Sequence, residues 1–151
     1  RIKAGLPGIL FSTDVIVGFP GETAVDFEAT CSLLREVRFA NIFSFRYSPR
    51  PLTEAARIPD DAPLEVKRRR LVALQQLQRT IQIELNGSFV GRDVLVLCTG
   101  PSVKGGGRYA GRTEGNQVVN FDAATDPTGH FVTVRVTGSG PYSLHGTGSG
   151  F

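Results

Sequence analysis

Four groups of residues have the types and spacing to do chemistry. Gly18-Phe19-Pro20-Gly21-Glu22 is a glycine-rich turn between an apolar run and a helix start. Ligands of α/β folds bind at that end of a strand. Its amides could meet an anionic or polar ligand, or could simply make a tight turn. Arg46-Tyr47-Ser48-Pro49-Arg50-Pro51 follows a second run, and an arginine there could fork onto a carboxylate or phosphate or cap nearby carbonyls. Lys67-Arg68-Arg69-Arg70 could neutralise phosphates and gain affinity by counterion release, or form a solvated helix face. Arg108, Tyr109, Arg112, Asn116, Asn120 and Phe121 mix cations, amides and rings. That mixture suits RNA, where bases stack on rings and phosphates meet arginine, and is also ordinary for a hairpin.

Other chemistries find no support. The chain has neither GxGxxG nor a Walker A signature. His130 and His145 have no cysteine, histidine or carboxylate at metal-ligand spacing, so no metal site and no catalytic residue is expected. Cys31 and Cys98 form no CxxC pair and no disulfide framework, which suits a reducing cytosol. They read as two small, partly buried thiols. No stretch approaches the ~18–20 apolar residues of a membrane helix, and no signal peptide is recognisable. A cytoplasmic location is expected.

These groups need elements to position them. The 151 residues are 40% hydrophobic and 21% charged, so a packed core is possible. The net charge of +3 is unevenly spread: residues 1–64 are net −1, 65–80 net +4 and 81–151 neutral. Residues 12–47 read as β–α–β. Val15-Ile16-Val17, without alternation, suits a parallel strand buried on both faces. Thr23 and Asp26 resemble a capping box, and Phe27, Cys31, Leu34 and Val37 recur at helical spacing, which places a helix at about 23–38. Residues 41–47 form the second strand. Such a pair needs a right-handed crossover and further strands beside it. Nothing here supplies those strands, and the chain opens on Arg1 rather than Met. Part of a larger α/β domain is therefore expected to be missing.

Pro49, Pro51, Pro59 and Pro63 break up the next stretch, so residues 48–62 form a loop, and Pro63 suits the first turn of a helix reaching to about Leu85. Lys67 to Arg70 wrap most of its circumference, so some of them must face solvent or a ligand. Asn86-Gly87 ends it. After residue 88 come short strands and turns. Val94, Val96 and Cys98 alternate with Leu95 and Leu97, and Val132, Val134 and Val136 with Phe131, Thr133 and Arg135. Glu114-Gly115-Asn116 is a hairpin turn. About five strands in ~60 residues suit a small antiparallel barrel. The fold class is α/β followed by all-β, with domains at 1–62, 63–87 and 88–146 and a tail at 147–151.

Ser12-Thr13-Asp14-Val15-Ile16-Val17-Gly18-Phe19-Pro20-Gly21-Glu22-Thr23 resembles the fifth-strand motif of the radical S-adenosylmethionine methylthiotransferases. Phe45-Arg46-Tyr47-Ser48-Pro49-Arg50-Pro51 resembles their sixth-strand motif, and Val66-Lys67-Arg68-Arg69-Arg70-Leu71 with Leu74-Gln75 their last helix. Gly111-Arg112-Thr113-Glu114-Gly115-Asn116-Gln117-Val118-Val119-Asn120-Phe121 is similar to the TRAM-domain hairpin of the tRNA-modifying branch, and Ser143-Leu144-His145-Gly146 to that domain's closing strand. The resemblance implies a piece of a partial, TIM-like radical-SAM barrel, a connecting helix and an OB-like TRAM barrel. It implies a parent enzyme with S-adenosylmethionine and two [4Fe–4S] clusters. That parent would insert sulfur at C2 of N6-isopentenyladenosine beside the anticodon.

By the same resemblance, Ile16, Gly18 and Glu22 lie near the S-adenosylmethionine pocket and Tyr47 and Arg50 near its rim. Lys67, Arg68, Arg69, Arg70, Arg108, Arg112, Asn116, Asn120 and Phe121 would hold the tRNA anticodon stem-loop. The chain departs from the family in two places. The CxxxCxxC cluster motif is absent, so the cluster ligands are not in this chain, which alone is expected not to catalyse. Leu52 and Glu54 stand where Gly and Pro are expected. A monomer is expected. Two other readings remain: a stand-alone RNA-binding module, and part of a sister enzyme that methylthiolates a ribosomal-protein aspartate.

Overall fold

The computed structural model describes residues 5–6, 8–103 and 105–149. Contacts divide the chain into Leu10–Ile81 and a unit formed by the residues from 82 onward with the few described before 10. The sequence reading put its boundaries at 62/63 and 87/88, where composition changes. Packing divides the chain elsewhere because the long helix shares a core with the strands that precede it.

In the first unit, β1 (Ser12–Val17) pairs in parallel with β2 (Asn41–Arg46) across the helix α1 (Ala24–Val37). The expected capping box closes the N-terminus of α1. Asp26 N–H donates to Thr23 Oγ1 at 3.2 Å, and Thr23 N–H to Asp26 Oδ2 at 2.9 Å. A short 3-10 turn, Glu54–Arg57, lies within the expected loop. Helix α2 (Leu64–Gly87) begins just after Pro63, whose carbonyl accepts the Lys67 N–H at 3.1 Å. Val17, Cys31, Leu34, Leu74 and Ile81 are the buried apolar residues.

The sheet is not buried on both faces. Along β1 and β2 burial alternates, and Ile16, Phe43 and Phe45 stay about half exposed. Ile16 and Phe45 are register partners, so they share this open face. The apolar run concealed the alternation: Ile16 is as hydrophobic as its neighbours, but no layer of the described residues covers it.

The second unit is a closed barrel of β3 (Asp93–Pro101), β4 (Tyr109–Thr113), β5 (Val118–Asp122), β6 (Phe131–Ser139) and β7 (Leu144–Ser149), ordered β3-β4-β5-β7-β6. Its core is Val96, Cys98, Val119, Phe121, Val132, Val134, Val136 and Leu144. Two expectations need correction. The barrel is not wholly antiparallel, because β5 and β7 run parallel. After β5 the chain crosses to place β6 antiparallel to β3, and β7, antiparallel to β6, must then return in the direction of β5. The expected tail from 147 also begins inside β7, which hydrogen-bonds as far as Ser149; positions 150 and 151 lie outside the described residues. Gly111 and Gly146 mark the tightest approaches in the wall. A Cβ on Gly111 would strike the Leu97 carbonyl and the Val96 side chain.

Candidate functional site

The turn after β1 is held by side chains from α2. Gly18 takes φ +69, the left-handed region that glycine enters without penalty, and is buried. The Lys67 stem occupies the space a Cβ on Gly18 would need. Lys67 is only 4% exposed. Its Nζ lies 2.5 and 2.6 Å from the two Asp60 oxygens and 5.2 Å from the centroid of the Tyr47 ring. Glu22 folds back so that its Oε2 accepts the Gly18 N–H at 2.6 Å and Arg70 Nη1 at 2.5 Å. Arg70 Nη1 also donates to the Glu22 carbonyl at 2.9 Å, and its guanidinium lies 5.7 Å from the Phe27 ring centroid. Tyr47 donates its hydroxyl to the Ala55 carbonyl at 2.9 Å and sets its ring edge-on to Phe19.

So Gly18, Glu22 and Tyr47 come together, with Lys67 and Arg70 as their partners. Ile16 instead lies 53% exposed on the open sheet face, and Arg50 is exposed on the loop. The four-residue basic run divides. Lys67 and Arg70 turn inward into ion pairs, which corrects the expectation that all four meet RNA. A cation already buried against a carboxylate cannot neutralise a phosphate without breaking that pair. Arg68, 3.9 Å from Glu65, and Arg69 remain exposed.

Leu52 takes φ +69 in a fully exposed position. This is the conformation of a glycine, which accounts for glycine being the expected residue there.

In the barrel, Arg108 and Arg112 are exposed, and Arg108 pairs with Asp122 at 3.3 Å. Arg112 Nη1 donates to the Asn116 carbonyl at 3.2 Å and to its Oδ1 at 3.0 Å. Asn120 and Phe121 are not surface residues, which corrects a second expectation. Phe121 is 0% exposed in the barrel core, so no base can stack on it. Asn120 is buried and its Oδ1 accepts the Ser102 hydroxyl at 2.7 Å.

Comparison with known proteins shows what this chain is similar to. Residues 87–147 match the TRAM domain. Over 146 residues, 97% of the chain, it is 47% identical to tRNA-2-methylthio-N(6)-dimethylallyladenosine synthase from Coxiella burnetii, of which it covers 33%. The same enzyme from Syntrophobacter fumaroxidans is 46% identical and that from Geotalea uraniireducens 48%, each over 97% of the chain and about a third of the relative. The chain spans about a third of the length of these relatives.

The TRAM domain takes in all five barrel strands and ends within β7. The sequence reading overlooked the outward residues of its β3 and β6. Phe131, Leu95 and Leu97 are exposed beside strictly alternating buried valines. A phenylalanine on the polar parity of an alternating strand was the available signal.

No group of three or more His, Cys, Asp or Glu among the described residues is placed to hold a metal ion, and no helix of the described residues is long and apolar enough to cross a membrane. Cys31 lies on α1 and Cys98 on β3, each buried, and two thiols are too few for the four-thiolate ligand set of an iron–sulfur cluster. Burial, reinforced by Glu28, pushes the Cys31 thiol above its ordinary value, away from the thiolate a cluster needs.

Proposed function

We propose that this chain supplies the TRAM-bearing portion of a tRNA methylthiotransferase. That enzyme adds a methylthio group to C2 of N6-isopentenyladenosine beside the anticodon, and works in the cytoplasm. The observation that carries this reading is 47% identity over 146 residues, a span that takes in residues of both units, to an enzyme named for that product. In it, Leu10–Ile81 is a piece of the radical-SAM barrel, and the TRAM domain with the exposed Arg68 and Arg69 grips the anticodon stem-loop.

The turn residues fit one wall of an S-adenosylmethionine site. Ile16, Phe43 and Phe45 offer an open apolar face on the sheet that ends in this turn, and Arg50 is exposed on the loop after β2. When bound, the cofactor would supply the radical and the methyl group. Glu22 is not available to hold it, since its carboxylate already binds the Gly18 amide and Arg70. Glu22, Lys67 and Arg70 instead fix the backbone between strand and helix. The cysteines present do not fit iron–sulfur clusters, so no step is routed through them.

The test is binding of an anticodon stem-loop RNA by this chain as salt is varied. The reading expects measurable affinity that falls as salt rises. Replacing Arg68 and Arg69 together by Ala should reduce the log–log slope by roughly 1–2, since each phosphate contact contributes about 0.7–0.9. No binding at low salt would refute it.

A further inference from the structure

Strand pairing lines up three outward side chains of the barrel. Phe131 of β6 lies opposite Leu97 of β3, and Leu97 lies opposite Arg112 of β4. They form one row across three adjacent strands. Phe131 is 62% exposed, Leu97 39%, and Arg112 is exposed as well. Strands in a sheet lie ~4.8 Å apart, so the Phe131 and Arg112 backbones are ~10 Å apart. The next row holds Leu95 and Thr133, and the one after it the Asp93–Arg135 ion pair at 3.3 Å.

The charges in this row differ from those around it. Arg108 and Arg135 are each neutralised by an aspartate. Among the described residues, Arg112 meets the neutral carbonyl and amide oxygens of Asn116 and no carboxylate. Both bonds use Nη1. A guanidinium has five N–H donors, so donors remain, and no carboxylate of the described residues pairs with its charge. Asn116 itself sits at φ +65 in the hairpin turn, which aims that oxygen back at Arg112.

An exposed ring, an aliphatic neighbour and a held, uncompensated cation fit a flat apolar group carrying an adjacent negative charge. An unpaired nucleotide is such a group. Bases stack on aromatic side chains regardless of sequence, and arginine meets the phosphate. A protein partner fits less well, because stable interfaces take roughly 800 Å² and 20–30 residues a side, against three apolar side chains here.

We propose that this row is a base-stacking platform: an unpaired base of bound RNA lies on Phe131 with Leu97 beneath its edge, and Arg112 takes a neighbouring phosphate. This rests on the reading of the TRAM domain as the RNA handle and names the residues that do the holding.

The chain contains no tryptophan, so Phe131→Trp introduces a single fluorescent reporter. Titrated with anticodon stem-loop RNA, F131W should bind as tightly as the unaltered chain, with its emission quenched. A tryptophan at the exposed position Val25 on α1 should show binding without quenching. Phe131→Ala should weaken binding by roughly five- to a hundredfold, the usual loss for one stacked base, and leave the melting temperature in place because Phe131 lies outside the core. Arg112→Gln should lower the salt slope by about 0.7–0.9. If the unaltered chain binds RNA but F131W is not quenched and F131A binds equally well, the platform is wrong and the RNA reading survives. If the unaltered chain does not bind RNA, both fall.

Discussion

The two units hold their strands together by different means. In the barrel every strand is hydrogen-bonded on both sides, and eight residues form a continuous core. In the other unit the two strands of the described residues form a sheet of their own and leave an apolar face half open. What fixes its functional turn is a set of ion pairs from α2, Lys67 with Asp60 and Arg70 with Glu22. Closure makes the barrel's stability a matter of packing. The open unit relies on polar clamps at the turn between β1 and α1. The contrast separates a unit closed on itself from one whose sheet is left open on one face.

The comparison breaks most sharply at the barrel core. Phe121→Ala should cost about 3–5 kcal/mol, the range for deleting a buried phenylalanine. Denaturation followed by circular dichroism should show the strand signal lost early while the helical signal persists. Simultaneous loss of both would mean that the units are not separate.

The ionic clamp comes next. Glu22→Ala leaves Arg70 without its carboxylate partner, and breaking a buried pair from one side costs about 3–5 kcal/mol; partial exposure of these side chains places the expected loss at the lower end. Hydrogen exchange should speed up at the Gly18 amide and stay unchanged in β3 to β7. Continued protection of Gly18 would show that the turn does not depend on the carboxylate.

Much of this architecture was legible from pattern. The valines of β6, the capping box of α1, the hairpin turn at 114–116 and the extent of α2 follow from alternation, spacing and turn chemistry. The site residues were less so. Four consecutive cations encircle a helix, and which two turn inward depends on Gly18, Glu22 and Asp60, remote in sequence. Asn120 has outward parity on β5 and looks exposed until Ser102 covers it. Ile16 reads as core because its hydrophobicity is visible and the missing layer over it is not. The resemblance to known motifs placed glycine at 52, and the positive φ of Leu52 shows the backbone reason.

Two smaller effects sharpen the same contrast. Leu52→Gly should relieve a left-handed leucine worth about 1–2 kcal/mol, partly offset by the freer unfolded chain, for a net gain of up to about 1 kcal/mol confined to the open unit. Calorimetry should show its transition rise and the barrel's stay. The smallest effect is pH-linked. The Thr23 hydroxyl and amide hold the Asp26 carboxyl below its ordinary value of 3.8. A group depressed on folding contributes stability above its unfolded value and loses it as pH falls through the folded value. The end of α1 should therefore fray only below about pH 4, and in Asp26→Asn that acid-dependent fraying should disappear.

The most direct test of the central claim is to follow backbone amide resonances of the whole chain while anticodon stem-loop RNA is added. The account predicts shifts concentrated at Leu95, Leu97, Arg112, Phe131 and Thr133 on the barrel's outer face, with the outer turns of α1 unmoved. Saturating RNA that shifts α1 and leaves that row untouched would contradict it.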